Sequence, residues 1–147
     1  MANIVPYSFP VELLKGNHDF VNDTYTISLY TTLATYSTAS TVFSASGEVS
    51  SGGGSQYAAQ ALTGNAVSNV ANYATVDFTD SVWGDPTPAT FSAAYGAIYN
   101  SSASNKLVVI LDFGGTKSCS NGTFTVTFPS PTSGSPTGAD ALLSIQS

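Results

Sequence analysis

Residues 106–128 read Lys-Leu-Val-Val-Ile-Leu-Asp-Phe-Gly-Gly-Thr-Lys-Ser-Cys-Ser-Asn-Gly-Thr-Phe-Thr-Val-Thr-Phe. The first eight, Lys106 to Phe113, are the most hydrophobic run in the chain. Near-continuous apolar character over so short a length predicts a central strand covered on both faces. The last six alternate strictly. Phe124, Val126 and Phe128 point one way and Thr123, Thr125 and Thr127 the other, the period of a strand with one buried face. Gly114-Gly115 is expected to end the first strand, and a turn through Asn121-Gly122 to lead into the second.

The same signals recur outward from this stretch. Asn100 to Asn105 reads as a hairpin loop. Ala89 to Asn100 before it reads as a strand with Phe91, Ala93, Tyr95, Ala97 and Tyr99 on one face. Asn72 to Phe78 alternates, with Ala74, Val76 and Phe78 expected inward, and Thr79 to Pro88 carries turn residues. Thr24 to Thr31 places Tyr25, Ile27 and Leu29 on one face and Thr26, Ser28 and Tyr30 on the other. Ala141 to Ile145 is a last short strand, after an aperiodic loop at 129–138. The one helix the sequence predicts is Phe9 to Lys15, with Pro10 at its first position and Gly16 past its end. Residues 32–46 show no resolvable period. Together these elements predict an all-β chain: an antiparallel β-sandwich, jelly-roll-like, with at most one or two short helices. We read one domain over 11–147, preceded by an N-terminal arm over 1–10.

Composition narrows the function. Charged residues are 8% of the 147, with a net charge of −6 and Lys15, Lys106 and Lys117 as the cations. Neutralising nucleic-acid phosphates takes a basic surface, so no nucleic-acid partner is expected. A polybasic membrane contact is not expected either. Cys119 is alone, so no disulfide forms within the chain. Met1 to Pro6 lacks the basic and apolar regions of a secretory leader.

Candidate chemistry is sparse. Ser51-Gly-Gly-Gly-Ser55 invites a phosphate-loop reading, but no lysine follows Gly54 and no βαβ unit surrounds it. It reads instead as a turn, with Gln56 to Thr63 extended after it. His18, the single histidine, could join a Ser-His-Asp relay or cap a loop beside Asp19; no nucleophile elbow accompanies it. Asp77, Asp80 and Asp85 could hold a calcium ion or cap turn amides, and the turn reading is preferred. Trp83 with the tyrosines could stack a sugar or anchor the core or an interface, and burial is preferred. No catalytic residue, cofactor or metal ligand is assigned. The arm carries Ile4, Val5, Tyr7 and Phe9 with few polar groups. We expect it to lie outside the main sheet and to dock on a neighbour.

Several stretches taken in order carry a resemblance. They are Glu12-Leu-Leu-Lys-Gly-Asn-His-Asp-Phe20, Tyr25-Thr-Ile-Ser-Leu-Tyr-Thr31, Glu48-Val-Ser-Ser-Gly-Gly-Gly54, Leu62-Thr-Gly64, Tyr73-Ala-Thr-Val-Asp-Phe78, Ala97-Ile-Tyr-Asn100, Leu107 to Gly115, and Asn121-Gly-Thr-Phe-Thr-Val-Thr-Phe-Pro129. From about residue 11 to residue 145 the chain resembles small virion proteins of tailed bacteriophages. It departs from them after the glycines: where they have a Tyr-Thr-Ala-Gly-Gly-like stretch, this chain has Tyr57-Ala-Ala-Gln60, with Ser55-Gln56 inserted before it. The resemblance implies a non-enzymatic structural subunit, a capsid decoration or cement protein made in the host cytoplasm and bound to the capsid surface. The major capsid protein would be its partner, and a homotrimer or homodimer its own state. The alternative it leaves open is a tail or fibre component, an adhesin for host-surface carbohydrate.

Overall fold

The structure, a computed structural model, describes residues 3–33, 36–70, 72–129 and 142–146. Among these residues one helix, α1 (Ser8–Leu14), precedes nine strands: β1 (Tyr25–Tyr30), β2 (Gln60–Ala61), β3 (Ala66–Val70), β4 (Tyr73–Asp77), β5 (Ser81–Trp83), β6 (Ala89–Asn100), β7 (Lys106–Gly122), β8 (Phe124–Val126) and β9 (Leu143–Gln146). They form sheets in the orders β2-β1-β6-β7, β3-β4-β9 and β5-β8, and every strand pairing is antiparallel. The sheets pack together as a sandwich without closing into a barrel. Most of the aperiodic 129–138 loop, and Ala141 of the last strand, lie outside the described residues.

The four-stranded sheet is covered on both faces, as the apolar run of β7 requires. Across β1, β6 and β7, Ile27, Ile98 and Val109 stand in one row. They join Trp83, Phe91, Phe124 and Phe128 in the larger core. The opposite face presents Tyr30, Ala97, Tyr99, Leu107 and Ile110 to a second cluster with Tyr36. Val108 joins the larger core because the register shifts beside it, between Ile98 and Tyr99.

Residues 36–49 run across the second face without regular strand structure. Hydrogen bonds hold them there. Tyr30 Oη and Tyr36 Oη lie 2.9 Å apart, and each donates to the Ser44 carbonyl, at 2.8 and 3.1 Å. The Ser44 amide donates back to Tyr36 Oη at 2.8 Å. Backbone bonds from Phe43 to Asn105 and from Leu107 to Thr41 fasten the segment to the β6–β7 hairpin. Burial of the two phenols pushes their pKa values up, so both remain neutral donors.

Several expectations need correction. Gly114-Gly115 does not end the strand: β7 continues to Gly122. Tyr95 pairs with Asp112 and Ala93 with Lys117, so four residues of β7 stand opposite Ala94 alone. The two glycines, at φ of 69° and 125°, let the chain bulge outward and return to the same partner. Of the residues expected inward around β4, Val76 packs against the larger core and Phe78 is buried in it, but Ala74 is exposed and Thr75 is buried. Thr75 is buried because its hydroxyl bonds across to Ser68 Oγ at 2.8 Å. The helix begins at Ser8, which puts Pro10 at its third position, still within the first turn where no amide partner is lost. β5 occupies part of the segment read as turns. Between Gln56 and Thr63 only Gln60–Ala61 forms a strand.

Candidate functional site

The N-terminal arm and α1 are where the sequence placed its candidate contacts, and the structure divides those contacts into two sets. Ile4 exchanges both backbone hydrogen bonds with Ile110, each 2.8 Å, and so extends the four-stranded sheet beyond β7. Asn3 Oδ1 accepts from the Asp112 amide at 2.9 Å. Pro6 is fully buried, and Phe9 packs in the larger core. The arm therefore lies on its own sheet, not outside it. Apolar residues in an arm satisfy an intramolecular edge as well as a neighbour's, and here Ile4 and Phe9 are used internally. Val5 and Tyr7 face outward.

α1 continues this division. Phe9 and Leu13 turn inward. Tyr7, Val11 and Leu14, spaced as i, i+4 and i+7, lie on the opposite face and are exposed, Leu14 by 90%. Val11 and Leu14 were missed as contact residues. The signal was present: a seven-residue helix with one carboxylate and no other charge is apolar on more than one face.

Beneath α1 lies a polar nest that holds the single histidine. The His18 ring is buried, 5.1 Å from Phe9 and stacked at 6.3 and 6.4 Å on Phe20 and Tyr25. Its Nδ1 is 3.4 Å from Asn100 Nδ2, and Nε2 has no hydrogen-bond partner among the described residues. The amide orientation of Asn100 is fixed, because its Oδ1 accepts from the amides of Ser102 and Ala103. Its Nδ2 donates to Asp23 Oδ2 at 2.6 Å and to the Asn17 carbonyl at 3.2 Å. Glu12 closes the nest, with Lys106 at 3.0 Å, Lys15 at 3.7 Å and the Asn17 amide bonded to the same carboxylate. The Lys106 and Asn17 bonds hold the Glu12 carboxyl at a pKa of about 2. Among the described residues no hydroxyl hydrogen-bonds Nε2, and none of them forms a serine–histidine pair with His18.

Burial lowers the His18 pKa, against the pull of Glu12 and Asp23, while Lys106 pushes in the same direction as burial. A base whose folded pKa lies below its unfolded value binds fewer protons when folded. Its stabilising effect is complete above the unfolded value of about 6.5 and is lost as pH falls below it. We therefore expect stability to fall between pH 7 and pH 5 by up to about 1.4 kcal/mol per unit. His18→Phe should flatten that slope, as read by urea titration at the two pH values. An unchanged slope would remove His18 as its source.

The remaining candidates separate clearly. Trp83 is 2% exposed, ringed by Tyr57, Phe91 and Phe124, and its Nε1 donates to the Ala58 carbonyl at 2.7 Å. No face of its ring is open to a sugar. Asp77 accepts from the Phe78 amide and Asp80 from the Phe128 amide, both at 2.8 Å, so these carboxylates serve the backbone. Asp85 is exposed, and no group of three metal-ligating side chains occurs among the described residues. Gly53 and Gly54 take positive φ in an exposed turn with open space around them. Ser55 closes that turn through its hydroxyl to the Ser50 carbonyl.

One feature escaped the sequence altogether. A cleft of about 590 Å³ lies between β8 and the β7 bulge, with Leu111, Phe113 and Phe124 among its apolar walls and Asp112 and Lys117 on its rim. Pro129 and Leu142 also line it. The bulge that shapes it comes from a register shift, which a single sequence does not encode visibly. Comparison with protein-family models, with curated proteins and with solved structures gives no match.

Proposed function

We propose that this chain is a non-enzymatic structural protein of a tailed-phage particle, a capsid decoration or cement subunit that binds the major capsid protein and stabilises the head. The observation that carries this reading is a surface, not a reactive group. Tyr7, Val11 and Leu14 form an exposed apolar stripe on a chain of which only 8% is charged. Such a stripe is what an assembling subunit presents to its neighbours. The ordered likeness to small virion proteins supplies the kind of assembly. The doubly covered sheet supports the same reading, since a cement subunit has to transmit load without deforming and close-packed cores resist deformation. A homotrimer or homodimer on the capsid surface follows from the closed symmetry usual for such subunits.

The alternative, a tail or fibre adhesin for carbohydrate, would stack sugars on Trp83 and the tyrosines; the burial of Trp83 withdraws that ring and leaves only exposed tyrosines such as Tyr7 to carry it. Quantifying the protein in purified particles tests the proposal. Its copy number should scale with that of the major capsid protein, and particles made without it should lose head integrity at a lower temperature. Recovery of the protein only in the tail fraction, at a few copies per particle, would overturn the head reading.

A further inference from the structure

We infer that the outward stripe of α1 is a self-association surface, on which a second copy of this chain packs helix against helix about a two-fold axis. The inference builds on the reading of the chain as an assembling subunit. Its first support is the helix itself. Seven residues make a helix that is marginal in water, and here it is apolar both toward the core and away from it. The inward residues Phe9 and Leu13 are used. The outward residues Tyr7, Val11 and Leu14 are 72%, 49% and 90% exposed.

The second support is charge. Two of the three lysines close on Glu12, leaving eight carboxylates and one lysine for the rest of the chain. Two copies of an acidic protein approach at least cost where the local field is not negative, and α1 with its ion pairs is such a face. A different partner that recognised this protein through charge would have to address its carboxylates, and eight of the nine lie outside α1. A two-fold contact sets each patch against itself, so it needs a surface that is apolar and free of unpaired like charge. The stripe residues carry no charge, and the one positive charge left in excess beside them is that of Lys15, which is exposed and screened by salt.

Size sets the expected strength. With Val5, two residues before Tyr7, the stripe offers on the order of 500 Å² per copy, hence roughly 1,000 Å² for the pair, the scale of reversible associations. Sedimentation of the isolated chain should show a reversible monomer–dimer equilibrium. Leu14→Glu should weaken the dimer by at least about 30-fold, the effect of losing one central anchor. Leu14 is so exposed that the variant should keep its melting temperature. Val11→Cys supplies a second readout. Under dissolved oxygen it should form a covalent dimer across the axis, since Cys119 is buried and cannot substitute for it. A wild-type chain that stays monomeric up to about 200 µM, well above the working range of such interfaces, would overturn the inference. So would a dimer that neither Leu14→Glu weakens nor Val11→Cys traps. A monomeric chain whose attachment to particles is lost in Leu14→Glu would assign the stripe to another protein and equally overturn it. A dimer found for a protein absent from particles would leave this inference standing and remove the proposed function.

Discussion

Trp83→Ala is expected to lower stability by about 3–5 kcal/mol, the range for truncating a large buried aromatic. For a chain of this length that is a fall of about 10–15 °C in Tm. The ring joins two sheets: it stands on β5, pairs through Phe124 with β8, and meets Phe91 of the long strand β6 edge-on at 6.4 Å. Removing it opens a cavity between layers that backbone strands on both sides keep from collapsing. The indole hydrogen bond to Ala58 contributes less, because Ala58 is exposed and water can replace it. Trp83→Phe should therefore recover more than half of the loss. Denaturant unfolding of the two variants checks this. A change below about 1 kcal/mol for Trp83→Ala, the level of an ordinary surface substitution, would return the ring to the surface and revive the carbohydrate reading.

The strands that could be read from sequence are those whose burial follows side-chain polarity. Phe124, Val126 and Phe128 are buried and Thr123, Thr125 and Thr127 exposed, as alternation dictates. Ala89–Asn100 has the expected span, because polar turn residues bound it on both sides. Reading failed where hydrogen bonding reverses that polarity. Thr75 is buried through its cross-strand bond to Ser68, and a second exception has another cause: Ser28 is buried with its hydroxyl unpartnered among the described residues, because the sheet is covered on both faces. It failed again where geometry, not composition, decides. Nothing in Gly114-Gly115 distinguishes a strand end from a four-residue bulge; the later pairing of Lys117 with Ala93 does. The arm failed for a third reason. Hydrophobicity states that Ile4 and Phe9 will be covered, not by which chain, and Ile110 and the His18 ring lie within reach in the same molecule. His18 showed the converse. A histidine beside an aspartate looks solvent-facing, yet its ring is enclosed by Phe20 of the same loop, Phe9 of α1 and Tyr25 of β1, which only the fold brings around it.

The polar nest yields the other large effect. Asn100 is fully buried and ties together two loops whose other hydrogen bonds, linking Thr24 to Ser101 and Ser102, lie on the exposed side. Its carbonyl holds the Ser102 and Ala103 amides in the β6–β7 turn, and its amide holds Asn17 and Asp23 after α1. Asn100→Ala should cost about 3 kcal/mol, because it strands groups that water reaches poorly rather than merely deleting bonds. Asn100→Asp discriminates that cause from a simple packing loss. It keeps the shape and the two accepted bonds, but sets a second carboxylate within hydrogen-bond distance of Asp23. Two such carboxylates share a proton, which raises the pair's affinity for it above that of the unfolded chain. The folded variant then binds more protons than the unfolded one, and its stability rises as pH falls. Relative to wild type, the deficit of Asn100→Asp should be large at pH 7 and shrink toward pH 4.5, whereas that of Asn100→Ala should stay constant. Parallel pH profiles for the two variants would mean that Asp23 does not face Asn100, and that the nest is held by packing of the rings around His18 instead.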